Sequence, residues 1–152
     1  MKKEVGIVIT VIAVLAILVL IFFNITGYAV LSPNVPTVKR NMSVSGNEVT
    51  VNLTITSNLS LLAIDEALPK GVVIKNYSIS QNYEVFEFKP STMEWIISDT
   101  TKPVNAVLVY TFDSPVKTTT KLLKYTVSGK YAYVASSKVV SKTITGQTYY
   151  IR

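Results

Sequence analysis

The chain has 152 residues, 15 Lys and Arg against 9 Asp and Glu, a formal net charge of +6, and neither cysteine nor histidine. The missing types exclude disulfides, thiolate and imidazole metal sites, cysteine nucleophiles and any Ser-His-Asp arrangement. The length suits one domain with a short appendage, and the basic residues are scattered, so the usual footprint of a nucleic-acid binder is missing. Ordinary solubility accounts for the charge; a mildly basic surface facing an acidic envelope or polysaccharide is the alternative.

Residues 1–4 form a short basic N-terminus, with Lys2 and Lys3 ahead of the uncharged run "VGIVITVIAVLAILVLIFF" at 5–23. As a helix this run extends about 28 Å, close to the roughly 30 Å hydrocarbon core of a bilayer. The preceding lysines keep the N-terminus cytoplasmic and send the remainder outside. The run exceeds the 7–15 residues typical of a cleaved signal's apolar core. An uncleaved signal anchor is therefore expected, with cleavage near Ala29 as the alternative. Phe22, Phe23 and Tyr28 stand where an interfacial aromatic belt would lie. "NITGYAVL" after the apolar core resembles the anchor ends of surface proteins from some archaea. Residues 24–37 then form a linker, in which the prolines of "SPNVP" at 32–36 exclude helix and favour an extended spacer.

From Val38 the apolar period becomes two. In "EVTVNLTIT" Val49, Val51, Leu53 and Ile55 share one face, and Thr50, Asn52, Thr54 and Thr56 the other. Gly46-Asn47 predicts a hairpin turn that pairs this strand with "TVKRNMSVS". Further strand-like runs follow in "LSLLAIDEA", "VVIKNYSIS", "YEVFEFK", "TMEWII", "NAVLVYTFD", "LKYTVSGKYAYV" and "SKVVSKTIT". Some seven to nine short strands over 38–152, with no helical period, predict an all-β, immunoglobulin-like sandwich preceded by one transmembrane helix. Trp95, alternating with Met93 and Ile97, is the expected core anchor. "VKTTTKLLK" at 116–124 reads as a solvated connection.

The carboxylates Asp65 and Glu66 inside "LLAIDEALPKGVVI" are the first candidates for chemistry. Alternation puts Leu62, Ile64 and Glu66 on one face and Ala63, Asp65 and Ala67 on the other, so the two acids cannot share a substrate. A solvated or salt-bridged pair is expected, with Glu66 marking the strand's end, and replacing both by their amides should leave the fold nearly unchanged. Asp99 and Asp113 are isolated, and no D-x-D-x-D-G calcium loop occurs. No S-x-x-K motif stands in a helical setting. No catalytic residue, metal or cofactor is expected. Candidate N-glycosylation acceptors are Asn41, Asn52, Asn58 and Asn76, each followed two residues on by Ser or Thr; Asn24 also carries the motif but sits too near the bilayer.

The ordered elements "VTVNLTIT", "IDEALPKGVVI", "MEWII", "AVLVYTF" and "VSGKYAYV" resemble the immunoglobulin-like, DUF11-type modules of large bacterial and archaeal surface proteins. The resemblance spans most of residues 48–134 and is carried best by Leu68-Pro69-Lys70-Gly71 with Trp95 and Tyr110. The sequence departs from those modules in its Lys-rich segment 117–124 and in lacking a repeated copy. The resemblance implies a structural or adhesive surface module without shared catalytic residues.

The expected function is a single-pass, membrane-anchored cell-surface protein that displays the sandwich for envelope structure or adhesion. Its partners would be the bilayer through residues 5–23 and other surface proteins or glycans. Two alternatives stand beside it: an accessory subunit of a membrane complex, or a type IV pilin-like filament subunit. The pilin reading suffers from Lys2-Lys3 being followed by Glu4-Val5-Gly6, a poor processing site.

Overall fold

The computed structural model describes residues 35–115 and 122–151. The expected transmembrane anchor at 5–23, Asn24 and the first part of the linker lie outside the described residues, as does all of "VKTTTK". Among the described residues nine strands account for the regular structure: β1 (Thr37–Ser45), β2 (Glu48–Thr56), β3 (Leu61–Ala67), β4 (Ile74–Ile79), β5 (Val85–Lys89), β6 (Glu94–Ser98), β7 (Ala106–Asp113), β8 (Leu123–Ala135) and β9 (Lys138–Ile151). Among the described residues no helix is long and apolar enough to cross a membrane.

The strands pair antiparallel into two sheets, β1-β2-β7-β4 and β5-β6-β3-β8-β9. The first sheet has the A-B-E-D order of an immunoglobulin constant-type domain, and β3-β8-β9 reproduces its C-F-G order. The β5–β6 hairpin is an insertion between the fourth and fifth strands of that frame, and it widens the second sheet on the β3 side.

Alternation decides which face of each strand is buried. Val49, Val51, Leu53 and Ile55 of β2 turn inward against Leu108, Tyr110 and Phe112 of β7, and from the other sheet Leu62, Ile64, Trp95, Ile97 and Val127 complete the core. Trp95 is fully buried, as the alternation predicts, whereas Met93 is not its strand neighbour: it precedes β6 in a left-handed conformation, φ 54°. Its carbonyl accepts the Glu66 N–H at 3.1 Å. A chain of aromatic rings crosses the core. Phe88 stacks on Trp95 with centroids 4.7 Å apart, Trp95 on Tyr110 at 5.0 Å, and Phe112 meets Tyr149 edge-on at 6.1 Å.

The turns follow local chemistry. Ser45 pairs with Glu48, and Gly46 has φ 60°, which suits the first central position of a II′ hairpin turn. In Pro69-Lys70-Gly71-Val72 the Val72 N–H bonds the Pro69 carbonyl at 3.2 Å, and Gly71 at φ 85° takes the left-handed position of a type II turn. That turn carries the chain from β3 in one sheet to β4 in the other. The β8–β9 hairpin closes on Ser136 and Ser137, at φ 50° and 62°, a type I′ pattern without its usual Asn-Gly. β9 runs on to Ile151, so the terminal "YYI" belongs to the last strand rather than following it.

Candidate functional site

Asp65 and Glu66 point to opposite faces, and β3 ends at Ala67, one residue past Glu66. Glu66 is nonetheless not solvated there: it keeps the inward register of Leu62 and Ile64 at 2% exposure. A carboxylate there needs partners, because an isolated buried charge costs far more than folding can offset. Two strands of the other sheet supply them. Arg40 of β1, inward in the register of Val38 and Met42, ion-pairs through Nη2 with Glu66 Oε1; the Arg and Glu side chains are 1% and 0% exposed. Tyr110 of β7 donates its hydroxyl to Glu66 Oε2. Arg40 Nη1 then donates to the Thr145 carbonyl at 2.7 Å and to the Val127 carbonyl at 3.3 Å.

The backbone is shaped around this cluster. Between Val127/Gln147 and Gly129/Ile144 the β8–β9 register slips by one residue, placing a bulge in β9 at Thr145-Gly146. The bulge leaves the Thr145 carbonyl free for the guanidinium and reverses the phase of β9, so that Ile144 and Tyr149 are both buried. Gly129 stands opposite Glu66 across β3–β8. A Cβ there would lie 2.6 Å from the Asp65 carbonyl oxygen and 3.0 Å from Arg40 Nη2, and would collide with Glu66 Oε1. Only glycine leaves room for the two charged heads.

Both Glu66 oxygens are engaged and closed off from solvent, so no position is left at which a substrate could meet the carboxylate. Burial pushes the Glu66 carboxyl above its ordinary range, while the Arg40 charge and the Tyr110 hydroxyl pull it down. Burial, reinforced by the Glu66 charge, pushes the Tyr110 phenol upward, which keeps it a neutral donor. Asp65, on the outer face, stands opposite Lys130 of β8 and Glu94 of β6. Its carboxyl is raised by desolvation and lowered by Lys130. The Glu94 carboxyl is also raised by burial, pulled down by Lys89 and raised further by Asp65. Among the described residues no group of three acidic, His or Cys side chains is placed to hold a metal ion.

Sequence reasoning missed Arg40, Tyr110, Gly129 and the Thr145 bulge. The available signal was a set of polar residues at inward positions of alternating strands, with a glycine inside a long strand. The four sequon asparagines are placed separately from this cluster. Asn41 and Asn52 are cross-strand partners on the outer face of the first sheet, with Asn41 exposed and Asn52 half-buried. Asn76 is exposed on β4 opposite Thr111, and Asn58 is exposed in the β2–β3 connection.

At the far side of the sandwich the edge is aromatic. Tyr77 of β4, 48% exposed, packs against Phe86 and Phe88 of β5 with centroids 6.0 and 5.0 Å away. Val85 beside them is 42% exposed.

No protein-family model matches the chain, and no curated protein matches it. Among solved structures it is similar to the collagen-binding subdomain of the Enterococcus faecalis surface protein ACE, at 9% identity and TM-score 0.49 over 83% of this chain and 99% of that one. It is also similar to the collagen-binding domain of a Staphylococcus aureus adhesin, at 7% identity and TM-score 0.45 over 82% and 99%.

Proposed function

We propose that the chain is a single-pass, membrane-anchored cell-surface protein whose sandwich is a display body for envelope structure or adhesion, of the kind its DUF11-type motifs suggest. One observation carries this reading: a 19-residue uncharged run behind Lys2-Lys3 is joined to an all-β body whose buried ionic cluster has no open position for a substrate. The run would span the bilayer, the Pro-containing linker would set the distance, and the body would meet other surface proteins or glycans. Proteolysis of intact cells tests it. The expected result is a chain that pellets with membranes, resists high-salt extraction and loses residues 38–152 to external protease. Recovery of the intact chain in the soluble fraction would contradict the reading.

A second reading, an accessory subunit of a membrane complex, is favoured by the exposed Tyr77 and Val85 at the β4–β5 edge, which a partner would cover. Co-purification of one stoichiometric membrane protein from detergent extracts would support it over free display. The filament reading predicts a processed N-terminus, visible as a mature mass that lacks the leading residues.

A further inference from the structure

The four sequons are distributed unevenly over the sandwich. Asn41, Asn52 and Asn76 lie on the outer face of the four-stranded sheet, Asn58 lies at its end, and no sequon falls on the five-stranded sheet. In a strand, residues two apart project from the same face about 6.6 Å apart. Ser43, Thr54 and Ser78 therefore stand beside their asparagines on the outside. Asparagines without the motif are used inside the fold: Asn105 Oδ1 accepts the Ser57 N–H at 2.9 Å, and Asn47 Nδ2 donates to the Ser114 carbonyl at 3.3 Å. Among the described residues none of the four sequon amides makes a side-chain hydrogen bond, so access to the asparagine decides which of them reacts.

We propose that Asn58, Asn76 and Asn41 are N-glycosylated and that Asn52 is not, so that one sheet of the body is coated and the other left bare. This rests on the body lying outside the membrane. A transferase must grip both the asparagine and its i+2 hydroxyl, which requires access to the backbone from the side. β1 and β4 are edge strands with one flank unpaired, whereas β2 is bonded to β1 and β7 along its length. Asn58 is more accessible still. Its neighbours are tied down, Ser57 by Asn105 and the Leu59 N–H by Ser57 Oγ at 2.9 Å, while its own side chain projects into solvent. Asn52 is half-buried and faces Asn41 directly, where facing Cβ atoms stand about 4.5–5.5 Å apart, too close for two sugars.

The donor is a phosphate-activated oligosaccharide. The asparagine Nδ2 bonds to the anomeric carbon, the anomeric C–O bond to phosphate breaks, and the phosphate departs with that electron pair. One amide proton passes to base.

Peptide mass spectrometry of the full chain, extracted in detergent from the cells that make it, is the test. Glycan additions are expected on the Asn58, Asn76 and Asn41 peptides and absent from the Asn52 peptide. Asn41→Gln, Asn58→Gln and Asn76→Gln together should return the intact protein to its sequence mass of 16.7 kDa, and Asn52→Gln should leave the glycan mass unchanged. Bare Asn41, Asn58 and Asn76, or a modified Asn52, would overturn the proposal. External protease separates its failure from that of the surface reading. A body that is digested on intact cells but carries bare asparagines overturns the glycans alone; a protected body overturns both.

Discussion

The two long edges of the sandwich are held together by opposite means. At the β1–β9 edge the guanidinium of Arg40 reaches from one sheet to Glu66 and to two backbone carbonyls of the other, and the Arg40 and Glu66 side chains are hidden from water. At the β4–β5 edge Tyr77 leans on Phe86 and Phe88, and half of its surface stays exposed. The first arrangement is directional: an ion pair in a dry site tolerates one geometry, and loss of either partner strands the other charge. The second is apolar and adaptable, with gains that scale with contact rather than alignment. One edge therefore fixes the register between the sheets, and the other keeps a surface that a partner can cover without disturbing the fold.

The comparison is broken most strongly at the ionic edge. Arg40→Met alone or Glu66→Leu alone should cost about 3–5 kcal/mol, read as a lower urea midpoint, because each leaves a buried unpaired charge. The simultaneous amide replacement at Asp65 and Glu66 is therefore not the silent change that alternation alone suggested. Nearly all of its cost should come from Glu66, and Asp65→Asn alone should lie within about 0.5 kcal/mol of the unaltered protein. Gly129→Ala tests the same edge from the backbone side. Its new methyl meets the Asp65 carbonyl and both charged heads, and about 1–3 kcal/mol should be lost. Tyr77→Ala at the other edge should cost only about 0.5–1.5 kcal/mol, measured the same way.

The smallest effect concerns pH and the outer face. The folded Asp65 and Glu94 carboxyls are both raised above their ordinary values of 3.8 and 4.5. A raised carboxyl binds its proton more tightly in the folded state. Its stabilisation is complete below the ordinary value and is lost as pH rises through the folded one. Stability should therefore decline as pH climbs through the raised values, and Asp65→Asn with Glu94→Gln should flatten that decline in a series of urea midpoints.

The strands were legible wherever the period of two ran unbroken. β1 and β2, with their Gly46-Asn47 turn, fall where "TVKRNMSVS" and "EVTVNLTIT" place them, and Leu68-Pro69-Lys70-Gly71 turns as its Gly71 requires. The ionic cluster was hidden because it is non-local. Glu66 lies 26 residues from Arg40 and 44 from Tyr110, and no short-range pattern links three strands in two sheets. Read alone, an acid in an apolar register looks like a strand's end; read with Arg40 and Tyr110, each also in an inward register, it is a buried pair. The β9 bulge was invisible for a related reason. At Thr145-Gly146 the phase reverses, so alternation that places Ile144 inward would put Tyr149 outside. The anchor and sequons rest on sequence motifs, and the fold adds to them only the exposure and strand position of each asparagine.

Arg40, Glu66 and Tyr110 act as one structural unit that ties the two sheets together. Urea unfolding of the joint variant Arg40→Met, Glu66→Leu, Tyr110→Phe tests it most directly, set against the three single variants. The joint variant should recover to within about 1 kcal/mol of the unaltered protein, because an apolar set of similar volume replaces a buried ionic one. A joint variant as unstable as the sum of its singles would contradict it.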